Sequence, residues 1–559
     1  MIMRDFNEIQ QTTYDLIIIG GGVNGAGVAR DAALRGLKTI LIEKGDFACG
    51  ASSWSTRLIH GGLRYLEYLE FSLVRESLRE REILLRTAPH LVKPLLLTIP
   101  IYRDRSRPYW KIWAGMILYD ILSADKTVPS HRMLPSAQFK QLFPSIDPDG
   151  LAGGAQYYDA QVTYAERLCL ENILSAKAAG ATVFSYVEVI HLHRQGNRIT
   201  SLTCKDYWTD QEFIVNGHDK SIVINMVGPW VDHICRLGMK DSREAPIGKT
   251  KKIGGTKGSH IVVKPFVGAL NTSLYVEAKS DGRPFFIVPW DGMYLIGTTD
   301  QPFKGSLEQL KADNDEIDYL LRETNNIIPN ARLSRKDIQF TYSGVRPLPN
   351  VEGKNTGSIT RKHIFFDHTK EGVTNLISLI GGKLTTYRQV GEEVVDMVFK
   401  RQGKPVPPCP TEDKPLPGSI LPSDFRVQKV LTEYHDRVSN QTIDHLLSMY
   451  GAKTLDILAL TDSEPDLAAV IVPELPDIKA QIVYAVRHEL AYTLVDIMRR
   501  RTTLAIHSDY GIDLLPSLIE TLSRHCSWDE DKCRQEKERY IDYIQNNCIP
   551  DFTSLKKSW

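Results

Sequence analysis

Residues 14–44, YDLIIIGGGVNGAGVARDAALRGLKTILIEK, decide the fold. The apolar run from Leu16 to Ile19 reads as a buried strand, the glycines after it as a tight turn, the segment carrying Val28, Ala32 and Ala33 as an amphipathic helix, and Thr39 to Ile42 as a second strand. Together they form one βαβ unit. Gly20, Gly22 and Gly25 fit G-x-G-x-x-G between strand and helix, and Glu43 closes the second strand 23 residues after Gly20. The glycines let the backbone approach a pyrophosphate, the helix N-terminus offers it free N–H groups, and Glu43 can accept bonds from ribose hydroxyls. The unit predicts a dinucleotide site without choosing between FAD and NAD.

Outward from it, YAERLCLENILSAKAAG (164–180) predicts a helix ending at Gly180, ATVFSYVEVI an alternating strand, and SIVINMVGPW a buried one, all further pieces of the same sheet. Residues 257–300 read differently. SHIVVKPF and FFIVPWDGMYLIGTTD are strands, the latter a hairpin pair turning at Asp291-Gly292, which implies an antiparallel sheet. GKPVPPCPTEDKPLPG (403–418) has six prolines in sixteen residues, a stiff connector that places a domain boundary. Beyond it, AQIVYAVRHELAYTLVDIMRRRT (480–502) repeats apolar residues at three and four and predicts a separate helical domain.

A chain of 559 residues calls for two or three domains, and 42% apolar content fills them. Lysine plus arginine and aspartate plus glutamate each total 68, so no global basic field draws the chain to nucleic acid. Eight cysteines, none in Cys-x-x-Cys, point to a reducing compartment and no metal site. The first residues lack an apolar signal region and no segment offers about 20 uninterrupted apolar residues, so the expectation is a cytoplasmic protein, peripheral at the inner face of the cytoplasmic membrane if it meets lipid.

After Glu43, GDFACGASSWSTRLIHGGLRYLE supplies small and hydroxyl side chains where the chain continues past the pyrophosphate, suiting a long extended cofactor. This stretch, with VINMVGPWVD, SGVRPL, LISLIGGKLTTYR and VRHELAYTLVDIMRRRT, resembles the FAD-dependent glycerol-3-phosphate dehydrogenases, flavoproteins of the glutathione-reductase-like and amino-acid-oxidase-like superfamily. Trp54 departs from the small or basic residue expected within the serine cluster.

The resemblance implies an α/β fold with a Rossmann-like FAD-binding domain (1–75, 150–240 and 335–408), an antiparallel-sheet substrate domain (76–149 and 241–334) and a C-terminal helical domain (409–559). It implies oxidation of sn-glycerol 3-phosphate at C2 to dihydroxyacetone phosphate by hydride transfer to FAD, with electrons leaving to membrane quinone. A homodimer is among the expected assemblies. The cofactor-binding set is Gly20, Gly22, Gly25, Glu43, Lys44, Ser52, Ser53, Ser55, Thr56, Leu58, His60, Gly61, Gly62, Val187, Gly228, Gly344, Gly382, Lys383, Leu384 and Thr385.

The chemistry supports these assignments. A phosphate taken into a dry pocket needs fixed donors, and the guanidinium forks of Arg64, Arg346 and Arg361, the arginines the resemblance nominates, match its oxygens; Tyr65 joins Arg64 in lining the substrate pocket. GGKLTTYRQV follows a strand (375–380) and opens a helix, so backbone N–H groups and the Lys383 ammonium can stabilise charge arriving on a reduced flavin. His60 either takes the proton of the C2 hydroxyl or supports backbone groups beside the flavin. Arginine stays protonated, so Arg346 orients the C2 oxygen instead. Gly61 and Gly62 let the chain pass against the flavin ring.

RDRSRPYWKIWAGMILYDIL (103–122), with Trp110, Trp113, Met116, Ile117 and Tyr119, fits either a lipid interface or a core helix. Arg499, Arg500 and Arg501 fit either a lipid-facing cluster or an ion-paired domain interface. The alternative function is a soluble oxidase that passes electrons to oxygen and makes peroxide. The spacing of Cys526, Cys533 and Cys548 lacks the pairs of a related iron–sulfur form. Zero net charge and no basic, aromatic-interleaved segment argue against a flavin-dependent RNA-modifying protein.

Overall fold

The computed structural model describes residues 4–237, 247, 250–351 and 359–553. Its first sheet grows from the predicted unit. Strand Thr13–Ile19 pairs in parallel with Thr39–Ile42, Leu16 opposite Thr39 and Ile19 opposite Ile42. On its other side it pairs with Glu212–Asn225, and beyond that with Leu376–Ile380. Thr182–Phe184 extends one edge in parallel, and Ile364–Asp367 closes the other antiparallel. The inner strands are buried on both faces, which is why they read as continuous apolar runs. Helices Val23–Leu34 and Tyr387–Gln402 cross so closely that a Cβ on Gly391 would stand 2.9 Å from the Gly27 carbonyl oxygen.

The second sheet runs in the order Gln301–Pro302, Thr256–Val263, Met293–Gly297, Pro284–Trp290, Ser273–Glu277, Val92–Tyr102, Leu151–Val162 and Leu58–Ile59. Ile338–Arg346 joins Thr256–Val263, and Arg132–Pro135 joins Leu151–Val162. The hairpin at Asp291-Gly292 is present, with φ of 51° and 74° at the two turn residues, the positive values a tight two-residue turn requires.

Several expectations need correction. ATVFSYVEVI is two strands, Thr182–Phe184 and Val187–Gln195, because Tyr186 turns the chain with φ of 59°. The second sheet is not wholly antiparallel, since Ser273–Glu277 runs parallel to Val92–Tyr102. Leu58–Ile59, Leu151–Val162 and Ile338–Arg346, assigned to the cofactor domain, belong to the second sheet. Alternation in a strand shows that one face is buried but not which sheet buries it. The boundary placed at 240/241 lies outside the described residues. The helix read over 480–502 ends at His488; Leu490 adopts φ of 57°, and Thr493 caps a new short helix followed by a π-helical turn, Ile497–Arg501.

The region after the connector is helical, as expected, and packs its core against both sheets. Leu446, Met449 and Tyr484 pack into the core of the first sheet, while Leu494, Met498 and Leu518 share a core with Val262, Phe340 and Tyr342 of the second. The connector itself is held down, as Arg30 donates to the carbonyls of Lys414 and Pro415 at 2.7 and 3.0 Å. Arg500 and Arg501 are buried and grip Asp46, with Arg501 donating to both carboxylate oxygens at 2.7 and 2.8 Å. Arg499 is buried against the Trp54 and Phe340 rings at 4.8 and 5.1 Å. The lipid-facing reading of these three arginines is therefore wrong; they fasten the helical region beside the cofactor turn.

Helix Tyr109–Leu122 divides its residues. Met116 and Tyr119 are buried, whereas Trp110 and Trp113 are 69% and 50% exposed. Among the described residues no helix is long and apolar enough to cross a membrane.

Candidate active site

Two cavities meet at the junction of the sheets. The first, about 700 Å³, lies over the C-terminal ends of the parallel strands and is lined by Gly20, Gly22, Glu43, Lys44, Ser52, Val187 and Gly228. Gly20 has φ of +110°, and a Cβ there would stand 2.7 Å from the Met226 backbone. A Cβ on Gly25 would stand 2.0 Å from the Gly20 carbonyl oxygen, so Gly25 serves the turn without lining the cavity. The Glu43 carboxylate accepts from the backbone N–H groups of Gly21 and Gly45 at 2.7 and 2.8 Å, which fixes the acceptor between the two walls. Burial raises its pKa. Ser52 Oγ accepts from Val23 N–H at 3.0 Å, at the mouth of the glycine-started helix. The Lys44 ammonium is held by Glu308 at 2.7 Å and lies over the Trp230 ring.

The second cavity, about 490 Å³, shares a wall with the first made of Trp54, Ser55, Pro347, Gly382, Lys383 and Leu384. Thr56, Leu58, His60, Gly62, Arg64, Tyr65, Gly344, Arg346, Arg361 and Thr385 line it, so most of the expected residues converge. Ser53 does not. Its hydroxyl donates to the Ala48 carbonyl and the residue is buried outside both cavities. Gly61 also lies outside them; a Cβ there would stand 2.5 Å from the Tyr119 hydroxyl, so its glycine serves packing behind the cavity rather than contact with a ring in front. Gly62 does border the cavity, and a Cβ there would stand 2.1 Å from the Tyr65 ring. The helix expected directly after Gly382 starts four residues later than Lys383, at Tyr387, because residues 384–386 form a turn.

Cations dominate this second cavity. Arg346, at the end of strand Ile338–Arg346, donates to Asp300 at 3.0 Å, to Thr298 Oγ1 at 3.1 Å and to the Thr299 carbonyl at 3.3 Å. Asp300 also faces Arg361 at 3.6 Å, so one carboxylate sets both guanidiniums. Burial, Arg361 and Arg64 all work against the Arg346 charge, and Asp300 favours it. Arg64 donates to the Tyr68 hydroxyl at 3.3 Å. Lys383 donates to Ser77 Oγ at 3.0 Å and lies 4.1 Å over the Tyr65 ring; burial lowers its pKa to about 7.

Two imidazoles line the cavity. Burial, with Lys383 nearby, lowers the His60 pKa to about 3, and its backbone N–H donates to Thr385 Oγ1 at 3.2 Å. Burial, with Arg346 and Arg57 nearby, likewise lowers His260 to about 3. His260 bonds Thr56 Oγ1 at 2.9 Å and stacks on Tyr342 at 4.8 Å. Sequence reasoning missed His260, Asp300 and Tyr275, which sit within or beside runs read only as sheet; a histidine breaking the apolar face of SHIVV was the available signal.

A pyrophosphate-type turn with a buried acceptor, opening onto a cation-lined chamber, defines a dinucleotide-dependent site for an anionic substrate. The sequence agrees. Residues 15–396 match the model of the FAD dependent oxidoreductase family, and residues 409–533 that of the C-terminal domain of alpha-glycerophosphate oxidase. The chain thus belongs to the FAD-dependent oxidoreductases. It is 58% identical over 552 residues to the glycerol-3-phosphate dehydrogenase of Synechocystis sp., covering 98% of this chain and 100% of that one. It is 34% identical over 557 residues to the mitochondrial glycerol-3-phosphate dehydrogenase of Mesocricetus auratus, covering 96% and 74%. The solved glycerol-3-phosphate dehydrogenase of Bacillus halodurans, complexed with FAD, superposes with a TM-score of 0.75 at 26% identity, covering 97% of this chain and 96% of that one. Within the family, this chain is a FAD enzyme of the glycerol-3-phosphate dehydrogenase and oxidase type.

Proposed function

We propose that the protein oxidises sn-glycerol 3-phosphate at C2 to dihydroxyacetone phosphate and passes the electrons to a membrane quinone. The observation that carries the reading is the cluster of Arg64, Arg346 and Arg361 in a chamber whose wall is shared with the cofactor cavity. FAD, when bound, accepts the C2 hydrogen with its electron pair.

The chain's own residues do the rest. Gly20, Gly22 and the N-terminus of helix Val23–Leu34 hold the pyrophosphate, and Glu43 takes the ribose. Arg64, Arg346 and Arg361 bind the anionic end of the substrate, with Asp300 fixing the angle between the last two. Tyr65 packs beside them under the Lys383 ammonium. On the wall shared by the two cavities, the Lys383 ammonium would offer positive charge to a flavin bound there. Burial keeps His60 and His260 neutral, so each has a ring nitrogen able to accept from the C2 hydroxyl, but with pKa values lowered to about 3 both are weak bases until substrate and cofactor change their surroundings. The one facing the C2 oxygen takes the proton. Comparing His60→Asn with His260→Asn identifies it, because loss of the base slows flavin bleaching at unchanged flavin content.

Quinone use is supported by an apolar surface next to this chamber. Leu69 (72% exposed), Trp110 (69%), Trp113 and Phe71 belong to three segments packed on one another, the first of which also supplies Arg64 and Tyr65. A tryptophan-rich face of this kind suits the lipid interface where quinone resides. Anaerobic mixing with glycerol 3-phosphate should bleach the flavin, and added quinone should restore it faster than oxygen does. Peroxide release as fast as quinone reduction would favour the oxidase instead.

A further inference from the structure

Behind Lys383 lies a cluster of titratable groups that the reaction described above does not use. Lys383 is bonded to Ser77, and the neighbouring Glu76 is the carboxylate whose charge acts most strongly on it. Glu76 Oε1 stands 3.6 Å from His363 Nδ1. Neither atom has a hydrogen-bond partner among the described residues, so the capacity each retains is directed at the other. On its far edge His363 Nε2 bonds Glu393 Oε2 at 2.9 Å.

Three separate elements contribute. Glu76 lies on helix Phe71–Thr87, His363 precedes strand Ile364–Asp367, and Glu393 lies on helix Tyr387–Gln402. Side-chain exposure is 11% at Glu76 and 4% at His363 but reaches 39% at Glu393, so the row runs from the cavity wall to water. Lys362 acts on both carboxylates, Gln389 donates to Glu393 at 2.8 Å, and the Phe365 ring flanks His363 at 5.1 Å. Glu70, Arg361 and Asp159 act on Lys383 from the other side. Burial raises the Glu76 pKa. For Glu393 burial works the same way, but its bonds to His363 and Gln389 hold the pKa below the usual carboxylate range.

We propose that Glu76, His363 and Glu393 form a proton route between the Lys383 wall of the cavity and bulk solvent. The proposal rests on the alcohol oxidation put forward above. In that reaction the C2–H bond breaks with its electron pair going to the flavin, the O–H bond breaks, and the C=O bond forms; the hydroxyl proton must leave separately from the ketone product. Lys383 hands a proton to the Glu76 carboxylate and is reprotonated from the histidine that took the hydroxyl proton, so its ammonium is restored; Glu76 hands the proton to His363 Nδ1, and His363 gives up the one on Nε2 to Glu393, which releases it to water. The imidazole passes charge by exchanging one N–H for the other.

The test mixes the holoenzyme anaerobically with glycerol 3-phosphate in weak buffer containing a pH-indicator dye, and follows flavin bleaching and dye colour together. In the wild type the two should coincide. In His363→Gln and in Glu76→Gln the dye should lag the bleach by tenfold or more, or both should slow together where proton departure limits reduction; Glu393→Gln, at the surface, should show the same effect in smaller degree. Added imidazole should relieve the slowing, which a merely structural defect would not permit. Dye colour keeping pace with unslowed bleaching in all three variants, or slowing that imidazole leaves untouched, would overturn the route. Failure of glycerol 3-phosphate to bleach the wild type would instead overturn the oxidation on which the route depends.

Discussion

Arg346→Ala tests how the anion chamber is wired. The guanidinium donates to Asp300, Thr298 and Thr299, so it is held before substrate arrives and loses little freedom on binding. With its terminal N–H groups engaged by Thr256, Asp300, Thr298 and Thr299, Nε–H is left for the substrate, so its removal forfeits one charge-assisted bond of about 1.5–3 kcal/mol. That corresponds to a fall of about 10–10² in kcat/KM. The variant has a second defect. Asp300 keeps only Arg361 at 3.6 Å, leaving an under-compensated carboxylate in a pocket built for a phosphate. Arg346→Ala with Asp300→Ala should therefore be the better enzyme of the two, by about tenfold or more, equivalent to about 1.4 kcal/mol. The second-order rate constant for flavin bleaching measures both. A double variant no better than Arg346→Ala would refute the reasoning, since it would show that Asp300 contributes only by orienting Arg361.

Asp46→Asn leaves Arg500 and Arg501 buried without their shared carboxylate, a loss of about 3–5 kcal/mol that should lower the melting temperature of the protein by about 2–4 °C; a shift under about 1 °C in thermal unfolding followed by flavin release would contradict it. Burial opposes ionisation of Asp46, but Arg501 and Arg500 hold its pKa below the usual range. Its stabilisation is therefore complete above the unfolded carboxylate pKa and disappears as pH falls through the lower folded value, so Asp46→Asn should match wild type only in strong acid. Lys383, lowered to about 7 by burial, should make the flavin-free protein more stable as pH rises from about 7 towards the unfolded lysine value. Lys383→Met should abolish that rise in melting temperature between pH 7 and 9. Gly297→Ala places a Cβ 2.4 Å from His260 Cδ2, and should displace the ring and slow flavin reduction with cofactor content intact; unchanged reduction kinetics would argue that the His260 position is immaterial.

The cofactor half of the site was legible because its requirements are local. A strand, three glycines, a helix and a terminal glutamate must be neighbours in sequence to be neighbours in space, and Gly20 to Glu43 are. The arginines were found through family motifs, not spacing, since Arg64 and Arg346 follow or end strands far apart in sequence that only the second sheet brings together. Asp300 and His260 stayed hidden because nothing in one strand shows what the adjoining strand presents; their roles exist only once Thr256–Val263 lies between Met293–Gly297 and Ile338–Arg346. Ser53 and Gly61 misled for the opposite reason. Both belong to runs whose neighbours face the cavities, but their own space is taken by Ala48 and by Tyr119. The triple arginine was ambiguous by composition, and burial of its partner Asp46, remote in sequence, settled it.

The turn from Glu43 to Asp46 has an architectural consequence. Within four residues, one carboxylate faces the nucleotide cavity and the next is clasped by arginines more than four hundred positions away. The helical region is thereby fastened to the turn that lines this cavity rather than appended to it. A chain shortened to the two sheets should therefore lose its yellow colour before losing its secondary structure.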